Sequence, residues 1–338
     1  MSGSRLSRAL AEGMVRLPES GRIAVLRPPA DADLSPLPAE RVHVITGFRP
    51  DHDAWSERGL AAGVAPEPPY GAAVLFLPRA RALARALVAR AAALVPGGPV
   101  ILDGQKACGI EAMLRALRER GMAGPVLAAA HGKLVVIEAP GEAFADWHAG
   151  PVCSREGYLT APGLFSADGP DPASVALAGV LPGSLAGRVA DLGAGWGYLS
   201  ARALARAPAI TEMHLVEAEH AALAAARANV TDPRGRFHWA DVRRFRPDAP
   251  FDAVLMNPPF HEGRRADPAL GRDFIVAAAR MLARHGTLWL VANRHLPYER
   301  ALAGHFTEVR PLAGPAGFKL IRAAHPLADA GRRKRRQG

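Results

Sequence analysis

The run Arg188-Val189-Ala190-Asp191-Leu192-Gly193-Ala194-Gly195-Trp196-Gly197 decides how this chain folds. Its first half reads as a short apolar strand, its second half as a glycine turn, and Tyr198–Ala207 behind it has the spacing of a helix. Glycines let the backbone turn tightly and approach a ligand where a β-carbon would collide. Strand, glycine turn and helix in that order begin a parallel α/β unit. The alternation continues through strands at Met213–Val216, Phe237–Ala240, Phe251–Met256 and Thr287–Val291, with later ones near Thr307–Arg310 and Phe318–Arg322. Helices fall at His220–Val230 and Arg272–Ala283, so 187–321 is predicted to be a doubly wound α/β domain.

Upstream, part of the same grammar recurs. Ala72–Leu77 runs into Pro78, followed by a helical Ala80–Leu94, Gly97-Gly98 and a strand at Val100–Leu102. The Ala-Val-Leu triplets at 73–75 and 253–255 lie 180 residues apart. We expect two tandem Rossmann-like domains, at 1–155 and 156–325, with a basic tail at 326–338. The first domain is expected to be degenerate. It has no Asp-x-Gly-x-Gly turn, and it carries Leu77-Pro78-Arg79 where the second has Asn257-Pro258-Pro259. The seam is expected in the Gly- and Pro-rich stretch from Gly150 to Gly169.

Composition narrows the classes. The chain has 338 residues, 49% hydrophobic and 22% charged, which is ample for two cores. Its net charge is +10, of which residues 1–160 carry +2, residues 161–331 +3, and Arg332, Arg333, Lys334, Arg335 and Arg336 the remaining +5. A compact basic run of that kind attracts polyphosphate without reading sequence; the bland alternative is a solvated terminus. Cys108 and Cys153 lack metal-ligand spacing, which fits a reducing compartment and no metal. Charges at Arg5, Arg8, Glu12 and Arg16 break up any signal-peptide core, and no apolar run is long enough to cross a bilayer. A cytoplasmic protein with no membrane partner is expected.

The turn at 191–197 is not a dinucleotide fingerprint, which would need glycine at Tyr198. Its G-x-G-x-G spacing behind Asp191 instead resembles the first motif of class I S-adenosylmethionine-dependent methyltransferases. The resemblance implies that Asp191, Gly193 and Gly195 hold the methionine part of the cofactor. It further implies that Glu217, 26 residues on, accepts from the ribose hydroxyls, and that Asp241 lies against the adenine. Glu219 is a competing candidate for the ribose. Trp196 is expected to pack against the sheet.

Asn257-Pro258-Pro259-Phe260 follows the fourth strand of this domain. Two prolines fix the backbone and remove two N–H donors, while the asparagine offers an amide oxygen. The lone pair of an exocyclic amine on a nucleobase is delocalised and poorly nucleophilic. Two acceptors, the Asn257 side-chain oxygen and the Pro258 carbonyl, can take both of its N–H bonds and turn the lone pair toward a methyl donor. Phe260 offers a stacking face for a flipped base. His261 and His295 are read as neighbours of the site rather than bases.

From about Gly157 onward the chain resembles the bacterial guanine 2-amino methyltransferases of ribosomal RNA, the small-subunit type C enzymes and their large-subunit relatives. The residues that carry the resemblance are Leu164–Gly169, Asp191–Ser200, Asn257–His261, Val291-Ala292-Asn293, Leu296-Pro297-Tyr298 and Phe318-Lys319-Leu320. It implies catalysis by Asn257, Pro258 and Phe260, S-adenosylmethionine as cofactor, and Phe165 near that cofactor. It also implies ribosomal RNA or a ribosomal subunit as partner, the small-subunit RNA favoured, and a first domain serving RNA binding and structural support. A monomer is expected. Glu217 stands where aspartate is common in the family. The rival readings are a protein glutamine-amide methyltransferase and a non-catalytic RNA-binding assembly factor.

Overall fold

The computed structural model describes residues 4–327 apart from 139, 260, 263, 264 and 267, with backbone only at 261, 262, 265, 266 and 268. The chain divides into two compact units. Unit 1 holds the residues up to 151 together with 161–163; unit 2 holds 152–160 and the residues from 164 on.

In unit 1 the elements run α1 (Arg5–Ala11), β1 (Arg22–Leu26), β2 (Val42–Ile45), α2 (Arg49–Glu57), β3 (Ala61–Gly63), β4 (Tyr70–Phe76), α3 (Arg81–Leu94), β5 (Pro99–Gln105), α4 (Ile110–Glu119), β6 (Val126–Ala129) and β7 (Gly132–Glu138). Unit 2 opens with the hairpin β8 (Val152–Cys153) and β9 (Leu159–Thr160). It continues with α5 (Pro172–Val180), β10 (Gly187–Leu192), α6 (Tyr198–Arg206), β11 (Ile210–Glu217), α7 (His220–Asn229), β12 (Gly235–Trp239) and β13 (Phe251–Met256). A short pair β14 (His261–Glu262) and β15 (Arg265–Ala266) precedes α8 (Pro268–Met281), β16 (Leu282–Asn293), α9 (Glu299–His305), β17 (Phe306–Leu312) and β18 (Phe318–Pro326).

The two seven-stranded sheets have one order: β3-β2-β1-β4-β5-β7-β6 and β12-β11-β10-β13-β16-β18-β17. In each, five strands are parallel and the strand before the far edge is antiparallel to both neighbours. The duplication therefore spans the whole sheet, well beyond the strand–helix–strand unit readable in the sequence. The central strands are apolar on both faces because helices cover both. In unit 2, Val189, Leu215, Ala253 and Leu255 join the core on one face, while Ala190, Leu192, Val254 and Met256 join the core on the other.

Several expected boundaries move. The strand expected at Thr287–Val291 runs from Leu282 to Asn293, because pairing with β13 and β18 extends it past residues of poor strand preference. The helix expected to end at Ala283 ends at Met281, where that strand begins. The seam is also less simple than one linker, since residues 161–163 pack with unit 1 between two segments of unit 2.

Register aligns the copies residue by residue. Leu26 opposes Leu75 as Asp191 opposes Leu255, and Ile45 opposes Leu26 as Leu215 opposes Asp191. Unit 1 thus has Leu26, Gly47 and Leu77 where unit 2 has Asp191, Glu217 and Asn257. The fold is kept and three polar groups at the strand ends are gone.

Candidate functional site

In unit 2 the strand order reverses direction between β10 and β13, which opens a crevice at their carboxyl ends. The turn after β10 and the Asn257-Pro258 segment after β13 flank that crevice. Gly193, Gly195 and Gly197 have φ of +75°, +54° and +91°, the left-handed region that glycine enters without cost. The N–H groups of Gly193 and Ala194 both donate to the Val216 carbonyl, so the turn is tied to the next strand. A β-carbon on Gly197 would stand 2.9 Å from Val230 Cγ2, which sets how closely α6 and α7 pack.

Asp191 is the last but one residue of β10 and is 1% exposed. Its Oδ2 accepts from the Ser200 hydroxyl at 2.7 Å, while its buried Oδ1 has no hydrogen-bond partner among the described residues. Burial pushes its pKa up to about 7, with the Glu217 charge adding to the rise and the Ser200 hydrogen bond opposing it. A buried acceptor with no donor is costly unless a ligand supplies one. A cationic amine is a donor of the kind that Oδ1 would accept from.

Glu217 ends β11. Its Oε2 accepts from the Gly195 N–H and its Oε1 from the Glu219 N–H, each at 2.8 Å. Burial raises its pKa, and the two backbone donors pull it back. Each oxygen keeps a lone pair, so the carboxylate can still accept from a diol. Glu219 itself caps α7 with its backbone. Asp241, after β12, is 7% exposed, and its carboxylate is engaged by the Arg243 guanidinium at 2.8–3.0 Å.

A cleft open to solvent is lined by Phe165, Asp171, Ser174, the backbone turn at 193–196 and Asn257. Phe165 is exposed, and its carbonyl accepts from the Trp196 indole at 3.0 Å. Trp196, expected to pack against the sheet, is buried with its ring against Tyr158 and Tyr198 and forms part of the cleft wall. Asn229 holds this wall, donating to the carbonyls of Leu159 and Trp196 and accepting from the Leu159 N–H.

Asn257 Nδ2 donates to Asp171 Oδ2 at 3.0 Å and to Ser174 Oγ at 2.9 Å. Its Oδ1 takes no hydrogen bond from any described residue. Asp171 and Ser174 were missed as site residues. Their sequence, Asp171-Pro172-Ala173-Ser174, is legible as a helix N-cap with Pro at the first position, and Asp171 does cap α5 by accepting the Ser174 N–H. Phe260 and the basic run 332–336 lie outside the described residues. Among the described residues no group of three or more His, Cys, Asp or Glu side chains could hold a metal, and no helix is long and apolar enough to cross a membrane.

Residues 157–322 match the family described as Methyltransferase small domain. The chain is 34% identical over 274 residues to Ribosomal RNA small subunit methyltransferase C of Pseudomonas paraeruginosa, covering 78% of this chain and 81% of that one. The chain belongs to the ribosomal RNA small subunit methyltransferase C family. The enzyme of that name from Pseudomonas aeruginosa is 33% identical over 309 residues, covering 87% and 92% of the two chains. A solved structure of the T. thermophilus 16S rRNA N2 G1207 methyltransferase in complex with AdoMet and guanosine superposes with a TM-score of 0.77. It is 26% identical and covers 95% of this chain and 92% of that one. Membership in the small subunit methyltransferase C family agrees with the resemblance read from the sequence and sets aside the glutamine-amide and non-catalytic readings.

Proposed function

We propose that this chain transfers a methyl group from S-adenosylmethionine to the exocyclic 2-amino group of a guanine in 16S ribosomal RNA, at the position equivalent to the G1207 of its T. thermophilus relative. The observation that carries this reading is Asn257: both of its amide protons are held by Asp171 and Ser174, its oxygen is left as an acceptor, and it shares one cleft with the turn at 193–196. When bound, S-adenosylmethionine supplies an electrophilic methyl group on a sulfonium sulfur that leaves as a neutral thioether. Asp191 Oδ1 and the glycine backbone would hold its amino acid end, Glu217 its ribose, and the Asp241 segment its adenine, with Phe165 and Trp196 in the cleft wall.

Asn257 Oδ1 and the Pro258 carbonyl accept the two N–H bonds of the guanine amine, and Phe260 stacks on the base. This orients the nitrogen lone pair for in-line attack and stabilises the positive charge that develops on nitrogen. The product ammonium is acidic and loses its proton to water, so no strong base is required. Every one of these residues belongs to unit 2, so a single chain carries the whole proposed site. Unit 1, stripped of its polar strand ends, is assigned to RNA binding and structural support. The test is mass spectrometry of nucleosides from 16S rRNA of a strain lacking the gene. Loss of N2-methylguanosine at the G1207-equivalent position is expected; unchanged methylation there rules the assignment out.

A further inference from the structure

We infer that Asp171 and Ser174 are positioning residues that set the polarity of the Asn257 amide, an inference that rests on the acceptor role proposed for Asn257. The two ends of an asparagine amide are nearly isosteric, and only their partners decide which faces the reacting centre. Asp171 decides it here. An ionised carboxylate can accept but never donate, and its Oδ2 lies 3.0 Å from Asn257 Nδ2. Turning the amide over would place Oδ1 against that carboxylate oxygen, oxygen to oxygen, with no proton between them.

Ser174 alone could not enforce this choice, because a hydroxyl both donates and accepts. Its Oγ, 2.9 Å from the same nitrogen, occupies the second amide proton. With both protons engaged, Oδ1 is the only face of the amide left for the cleft. Asp171 itself is fixed as the N-cap of α5 through the Ser174 N–H at 2.9 Å. Pro172 pre-sets that first turn, and Leu177 anchors the helix in the core at 0% exposed. A rigid helix start therefore aims a side chain that sits on the end of a strand 86 residues away.

Asp171→Ser separates this role from helix capping. Asp171 Oδ2 accepts from both the Ser174 N–H and Asn257 Nδ2, so an asparagine that kept the cap would still present an oxygen to Asn257. Serine caps a helix as well as aspartate does, yet its hydroxyl can donate while it accepts the cap N–H, and the enforced polarity is lost. With full-length protein and 16S rRNA from the deletion strain, Asp171→Ser is expected to lower kcat by about 10- to 100-fold. The Kd for S-adenosylmethionine should stay within about threefold of wild type. Wild-type kcat overturns the inference. So does a loss that disappears at saturating cofactor, since it would mean Asp171 binds the cofactor instead.

The reciprocal exchange gives a readout that a merely structural role does not move. Asn257→Asp sets two carboxylates face to face and should be inactive. The double variant Asp171→Ser/Asn257→Asp puts a hydroxyl donor opposite that carboxylate while keeping a cap oxygen for the Ser174 N–H, and again leaves an oxygen for the cleft. Its turnover should exceed that of Asn257→Asp, and a double variant no better than the single one overturns the inference. Asn257→Ala, assayed in parallel, keeps the two levels apart: retained turnover there refutes the acceptor role itself. Lost turnover in Asn257→Ala beside full activity in Asp171→Ser refutes only the positioning role.

Discussion

The backbone N–H of Gly195 donates to Glu217 Oε2 at 2.8 Å, so the acid that ends β11 holds the glycine turn that follows β10. With the Glu219 N–H on its other oxygen, the carboxylate faces a donor at each side. Glu217→Gln keeps the shape but presents an NH2 group to one of those donors. A hydrogen bond to a charged group contributes about 1.5–3 kcal/mol, so the Kd for S-adenosylmethionine should rise by about 10- to 100-fold. Calorimetric titration of the variant tests this, and an unchanged Kd would show that the turn is held by the Val216 carbonyl alone.

Asp191 gives a pH dependence with a defined sign. Its pKa is raised from 3.8 to about 7, chiefly by burial. Above pH 4 the unfolded chain loses this proton while the folded protein keeps it. The contribution is therefore greatest below pH 4, declines as pH rises to about 7, and is level beyond, amounting to roughly 3–5 kcal/mol. Asp191→Asn cannot titrate. Denaturant unfolding of the ligand-free proteins should show the stability of the variant relative to wild type rising between pH 5 and 7.5, and a constant difference contradicts it. A cationic ligand group beside Oδ1 favours the ionised form, so cofactor affinity should increase over the same range.

Much of unit 2 was readable because its strands are continuous apolar runs that each end at a polar or glycine signal: Asp191 before Gly193, Glu217 after Val216, Asn257 after Met256. Those signals are local. Asp171 and Ser174 were legible as a cap, yet their use as acceptors for Asn257 is created by the sheet, which brings α5 to the end of β13. The pairing of Asp241 with Arg243 is local, but two residues apart in sequence says nothing about which side chain turns back. In unit 1, Arg22–Leu26 and Ala61–Gly63 are too short or too poor in β-branched residues to stand out, and pairing with their neighbours decides them.

Gly271 tests packing beneath the site. It lies inside α8, where alanine normally exceeds glycine in stability by about 1 kcal/mol. Here a β-carbon would meet the buried Tyr298 at 1.9 Å from Oη and 2.3 Å from Cζ. Overpacking of that kind costs about 1–3 kcal/mol and reverses the sign. Gly271→Ala should lower the urea midpoint. Because the overlap includes a ring carbon, adding Tyr298→Phe should recover little; full recovery would place the conflict at the hydroxyl alone.

The matched registers of the two sheets predict the binding stoichiometry. Unit 1 repeats the strand order of unit 2, so by topology alone it has the same crevice between β1 and β4. At the positions that carry Asp191, Glu217 and Asn257 it has Leu26, Gly47 and Leu77, with Arg27-Pro28-Pro29 in place of the glycine turn. None of those three residues offers a cationic amine or a diol a carboxylate, and Pro28 and Pro29 have no N–H to donate. Leu26 and Leu77 are instead spent on the core, at 1% and 6% exposed. Calorimetry with the full chain should therefore give one S-adenosylmethionine per molecule, and Asp191→Ala should abolish that event without exposing a second. A stoichiometry of two, or residual binding in the variant, would mean that unit 1 kept a pocket built from other residues.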